Sequence, residues 1–249
     1  MRLHENMKIA ELVHENYLLV PVMNRFGIHL GFGDKTVKEV CEEHEIEAGF
    51  FMEIINSYND PKYYPRFDVE DFPLNDAIQY LSNTHKSYLD YRLPDIESII
   101  EEILESCDIN KDNIILLRNF FMEYKSELTA HIEREEKVVY PYVSKVFENY
   151  RSEQPDAAFL TNMISYSIVD YSNEHDNVEE KLFDLKNIII KYLPPLKRQF
   201  LMNKILFELF RLETDLNDHT MLEEKVLIPM VLIMEEKLKS GVNNQTEGK

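Results

Sequence analysis

Glycine is scarce in this chain, six residues in 249, and long stretches carry no turn signal of any kind. That excludes a turn-rich architecture, and with Glu, Lys, Leu and Ile plentiful the class is all-α. Cysteine is nearly absent. Cys41 and Cys107 stand without CxxC spacing, which excludes a disulfide framework and a thiolate metal site and leaves two buried or idle thiols. Nowhere do about 18 apolar residues run together, and the opening MRLHENMKIAELVHENY carries acids and no continuous apolar core. A soluble, cytoplasmic protein without membrane partners is expected. Basic clusters are missing too: 27 Lys and Arg stand against 46 Asp and Glu, a formal charge of -19. A phosphate backbone would be repelled, so nucleic acid is excluded as a partner.

What is present suits one large helical domain and a small one. Residues 59–74, NDPKYYPRFDVEDFPL, hold three prolines and several acids and read as a linker. Before them, residues 1–58 form a small helical module, with helical periodicity from Ile9 to Arg25, a tight turn in GIHLGFGDK, and a helix opened by the capping-box pair Thr36 and Glu39. After them, four long helices are predicted over about 73–106, 111–149, 157–192 and 195–239, and short connections favour an up-down-up-down four-helix bundle over 75–238. The polar residues 239–249 read as a disordered tail.

The chemistry enters through an internal repeat. HIEREEKVVYPYV (131–143) and HTMLEEKVLIPMV (219–231) share seven of thirteen positions, in the pattern HxxxEEKVxxPxV. One more histidine stands upstream of each copy, His85 before His131 and His175 before His219, so the bundle reads as a duplicated helical hairpin. Positions i and i+4 share a helix face, so His131 with Glu135 and His219 with Glu223 can point at one centre. Glu136 and Glu224 are predicted to turn away, toward solvent or nearby lysines. Imidazoles with carboxylates suit iron, manganese or zinc, and a carboxylate can bridge two ions. Four histidines and two glutamates exceed what one tetrahedral zinc uses. Two ions with open positions for an oxo group, water or a small ligand are the better count.

At these residues the chain resembles the hemerythrin-like (HHE) superfamily, and within it the repair-of-iron-centres di-iron proteins. The resemblance covers nearly the whole chain and implies that His85, His131, Glu135, His175, His219 and Glu223 hold two iron ions, oxo- or hydroxo-bridged, with Glu135 and Glu223 as bridges. Oxygen-carrying hemerythrins are a weaker match, because they add a fifth histidine where this chain has Glu179. Members commonly carry a Cys-Cys pair in a segment resembling YGIDFCCGG. Here FGIHLGFGD (26–34) keeps the glycines but places Gly31 and Phe32 at those positions.

The resemblance implies a di-iron protein of the nitrosative and oxidative stress response. It would help restore damaged iron-sulfur proteins by supplying iron or handling nitric oxide, with NO, oxygen or peroxide as small ligands. The alternative is an oxygen or NO sensor or carrier without turnover. Glu127, one turn before His131, and Glu174, beside His175, are candidates for bonding an imidazole or lining an access path, the alternative being two solvated acids. Tyr88, one turn after His85, is read first as core packing with its hydroxyl satisfied and second as a residue facing the cavity.

Overall fold

In the computed structural model the described residues are 3–60, 62–106, 111–163, 167–173, 178–193 and 198–246. Every regular element among them is helical, as expected, and no helix among them is long and apolar enough to cross a membrane. The chain forms two compact units, 1–84 with 141–173 and 221–249, and 85–140 with 174–220.

The first unit begins with α1 (Ile9–Glu15), α2 (Leu19–Arg25), α3 (Val37–Glu43) and α4 (Ala48–Asn59). The periodicity from Ile9 to Arg25 is split at Asn16, whose backbone is extended and whose Oδ1 accepts a hydrogen bond from the Leu18 amide. An asparagine side chain offers the backbone this local alternative to helix. Thr36 and Glu39 form the expected capping box at α3, and Gly27, Gly31 and Gly33 take positive φ in the turn before it. The segment read as a linker is irregular yet anchored. Glu53 accepts from the Tyr63 hydroxyl at 2.7 Å and the Arg66 amide at 3.0 Å, and the Phe67 ring packs on Phe50 and Phe72.

The long helices follow the predicted spans with three revisions: π-turns interrupt them, one is interrupted at Ser167, and the last runs further than expected. The first comprises α5 (Leu74–Ser87), a π-turn (Tyr88–Arg92) and α6 (Leu93–Ser106). The second comprises α7 (Lys111–Arg134), a π-turn (Glu135–Val139) and α8 (Tyr140–Arg151). In place of the single helix expected over 157–192, the described residues form α9 (Ala157–Met163), α10 (Ile168–Asn173), α11 (Val178–Asn187) and a π-turn (Ile188–Tyr192). The start of α10 has a visible cause. The Ser167 amide donates to Asp170, and buried Glu235 accepts from the Ile168 amide at 2.9 Å and from the Tyr142 hydroxyl at 2.6 Å. These bonds start a new helix in place of continuing the old one. The last helix comprises α12 (Gln199–Leu222), a π-turn (Glu223–Leu227) and α13 (Ile228–Thr246). It carries the polar stretch from 239 to 246 in helical form, because extending an existing helix needs no new nucleus.

Three of the π-turns share a cause. Each carries an i to i−5 backbone bond, as from the Tyr140 amide to the Glu135 carbonyl and from Ile228 to Glu223. Six residues after the first residue of each turn the sequence has a proline: Pro94, Pro141 and Pro229. Proline donates no hydrogen bond, and its ring crowds the carbonyl one turn back; widening that turn relieves the clash without ending the helix.

The core of the second unit draws on four helices at once. Ile96, Ile99, Ile100 and Ile103 of α6 meet Leu117, Phe121 and Leu128 of α7, Leu182 and Leu185 of α11, and Leu201, Ile205, Leu209 and Leu212 of α12. Spacings of three, four and seven give each helix one apolar stripe. Burying each such side chain contributes roughly 1.5–3 kcal/mol, which makes this layer the frame on which the site is built.

Candidate metal centre

Besides Lys186, which pairs with Glu213, the polar side chains buried in this interior among the described residues are those of the repeat and its upstream histidine. His85 of α5 is 2% exposed and Glu135 1%, a degree of burial that ionisable groups take up only when partnered. Glu135 divides its carboxylate between two rings: Oε1 lies 3.1 Å from His131 Nε2, and Oε2 lies 3.1 Å from His85 Nε2. His219 of α12 reaches the same point, its Nε2 being 3.1 Å from His85 Nε2. Ligand atoms of His85, Glu135 and His219 fall within 4.8 Å of one another. Glu223 opens the π-turn that follows α12, one turn beyond His219, and is buried. His131, at 18% side-chain exposure, lies at the edge of the cluster.

Helix geometry accounts for the placement. His131 and Glu135 are one turn apart on α7 and its continuation, so both point inward beside buried Leu128 and Ile132. The His85 ring stacks parallel to Tyr140 at 5.6 Å, and the Tyr88 ring meets His219 edge-on at 6.0 Å. Tyr88 belongs to the buried core of its unit, the first of its two expected roles, and its ring also borders the site. Burial alone would push the Glu135 carboxyl up. The hydrogen bonds from His131 and His85, and their charge, outweigh that and hold it well below the usual carboxylate range. An ionised carboxylate with a separate oxygen toward each of two imidazoles is the donor arrangement a bridged pair of cations needs. The residues fit a metal on chemistry as well as on position, since nitrogen and oxygen donors of this mix suit iron, manganese or zinc.

One expectation is revised. Glu136 keeps 37% of its side chain exposed, yet its Oε1 lies 2.7 Å from Nδ1 of His85. The ideal helical wheel misplaces it because Glu135 opens a π-turn, whose wider winding swings the following residue toward His85. No sequence signal separates Glu136 from Glu224, which shares the glutamate pair and the proline six residues after its first member. Glu224, its counterpart, has Lys225 at 3.8 Å and is 44% exposed, as expected. Glu127 pairs with Lys181 of α11 and is 42% exposed; among the described residues its partner is this lysine and not an imidazole. His175, Glu174 and Cys107 lie outside the described residues.

Comparison with known proteins agrees with the geometry. The family model for the hemerythrin HHE cation binding domain matches residues 76–231, a span that contains every histidine of the repeat and its upstream partners. The chain is also 21% identical over 221 residues to the iron-sulfur cluster repair protein ScdA of Staphylococcus haemolyticus (strain JCSC1435), a match covering 88% of this chain and 95% of that protein. With its all-α bundle, its duplicated HxxxE pairs and a family match over more than half its length, this chain belongs to the hemerythrin HHE cation-binding family.

Proposed function

We propose that this protein is a cytoplasmic di-iron protein that helps restore iron-sulfur clusters damaged by nitrosative or oxidative stress, either by supplying iron or by handling nitric oxide. His85, His131, Glu135, His175, His219 and Glu223 hold the two ions, Glu135 and Glu223 bridging them, and residues 1–58 are an appended helical module. The observation that carries this reading is the split carboxylate of Glu135, one oxygen toward His131 and the other toward His85, each at 3.1 Å. Similarity to an iron-sulfur cluster repair protein along 88% of the chain supports the biological role.

When bound, two irons in such a site supply open coordination positions for a small ligand such as NO, oxygen or peroxide. The chain's own groups do the rest. Buried Glu135 remains ionised and ready to bind a cation, and Tyr88 and Tyr140 wall the histidines off from water with buried rings. The test is iron transfer from the loaded protein to an apo iron-sulfur protein. Cluster formation faster than with equal free ferrous iron is expected; no excess over free iron overturns the supply role. Reversible gas binding without any turnover would instead favour the sensor or carrier reading, which the replacement of the family's Cys-Cys pair by Gly31 and Phe32 recommends as the second choice.

A further inference from the structure

We infer that Glu136 is a positioning residue for the metal centre, fixing His85 through its Nδ1 so that Nε2 is presented to the cation; this rests on the di-metal reading above. Glu136 Oε1 lies 2.7 Å from His85 Nδ1, while His85 Nε2 lies 3.1 Å from both Glu135 Oε2 and His219 Nε2. The two nitrogens of an imidazole point in divergent directions. Glu136 therefore stands behind the ring, where it cannot reach the cation that Nε2 faces. An ionised carboxylate only accepts hydrogen bonds, so Glu136 holds the Nδ1 proton, and a cation that displaces the proton between Nε2 and Glu135 leaves the Nδ1–H tautomer that a metal requires.

This bond is one of the contacts that set the ring's rotation, together with those of Nε2 to Glu135 and His219. Tyr140 stacks flat against His85 with an interplanar angle of 0°, which fixes the plane of the ring but not which edge faces inward. Glu136 restrains the Nδ1 edge. Its own side chain is 37% exposed, so it links a ligand that is 2% exposed to the protein surface. The π-turn Glu135–Val139 is what makes the arrangement possible, since adjacent residues of one helix serve the same imidazole from two sides: Glu135 at Nε2 and Glu136 at Nδ1. A carboxylate behind a ligating histidine raises its basicity and holds its orientation, and losing such a partner typically lowers metal affinity about 10–100-fold.

The test compares full-length wild type with Glu136→Ala, Glu136→Gln and the surface control Glu133→Ala. Fe(II) affinity is measured anaerobically by competition with a chromophoric chelator, and the imidazole N–H resonances are recorded on the Co(II)-loaded proteins. Helix content by circular dichroism checks the fold. Expected is an affinity loss of about 10–100-fold for Glu136→Ala, with one shifted N–H resonance lost or in fast exchange. Glu136→Gln, whose amide oxygen still accepts from Nδ1–H, should recover most of the affinity and the resonance, and Glu133→Ala should match wild type. Glu136→Ala behaving like Glu133→Ala overturns the proposal while leaving the metal site intact. Equal losses for Glu136→Ala and Glu136→Gln also overturn it, by making charge and not the hydrogen bond responsible. A wild type that takes up neither metal overturns both this role and the di-metal reading.

Discussion

His85 and His219 stand 134 residues apart in the sequence, yet their Nε2 atoms meet at 3.1 Å in the interior of the protein. Two imidazole nitrogens converging with a carboxylate oxygen on one point make a hydrogen-bonded contact that is also a ligand set. Removing either ring should therefore cost metal more than fold. For His85→Ala or His219→Ala the thermal midpoint of the metal-free protein should change less than the increment that Fe(II) adds to wild type. With free metal at about 100 times Kd that increment corresponds to about 2.7 kcal/mol. Scanning calorimetry with and without Fe(II) reads both quantities, and an undiminished Fe(II) increment in the variants would contradict the assignment.

Pro141 should matter to metal through the backbone. In a regular helix interior proline is about 3 kcal/mol less favourable than alanine, but here the π-turn ahead of it absorbs part of that. Pro141→Ala restores a donor and removes the reason for the wide turn. The metal-free protein is expected to gain stability, by less than about 3 kcal/mol, while Fe(II) affinity falls as Glu135 and Glu136 rotate toward regular α-helical positions. Urea denaturation and metal titration separate the two effects.

Cys41 should be chemically silent. It is fully buried, and burial first, then the charges of Glu47 and Glu5, push its thiol up to about 12. The thiolate is the reactive form, so at pH 8 iodoacetamide should leave Cys41 unmodified in the native protein and alkylate it after unfolding in urea. Site-resolved mass spectrometry distinguishes it from Cys107.

The capping box at α3 predicts a pH effect of defined sign. Hydrogen bonds from the Thr36 backbone amide and side chain hold the Glu39 carboxyl below its ordinary value. A depressed folded-state pKa stabilises at pH above the unfolded value and loses that contribution as pH falls through the folded one. Thr36→Ala should cost about 1 kcal/mol at neutral pH by removing the cap, and the gap from wild type should narrow in acid as Glu39 protonates. Equilibrium unfolding at pH 7 and at pH 3 measures the narrowing.

Much of this was legible in the residues. The apolar stripes of α6, α7 and α12 have spacings that no strand would use, and the Thr36 and Glu39 pair announces the start of α3. The pairing of His131 with Glu135 follows from four-residue spacing alone. What escaped depends on contacts distant in sequence or on departures from regular winding. Nothing near Ser167 announces that Glu235, 67 positions away from Ile168, would accept its amide and restart the helix. A wheel of constant pitch misplaces Glu136 because it runs straight across a π-turn. Pro141 and Pro229, which mark two of those turns, stand in the repeat pattern, yet their effect on the preceding turn is a property of three-dimensional crowding.

The most direct measurement of the central claim is metal content per chain in anaerobically purified wild type, beside His85→Ala and Glu135→Ala. A bridged centre built on these side chains predicts close to two irons per wild-type chain, with a visible spectrum that responds to oxygen or NO, and a substantial loss of both in each variant. One metal or none in the wild type, or variants that retain two irons and the same spectrum, would contradict it.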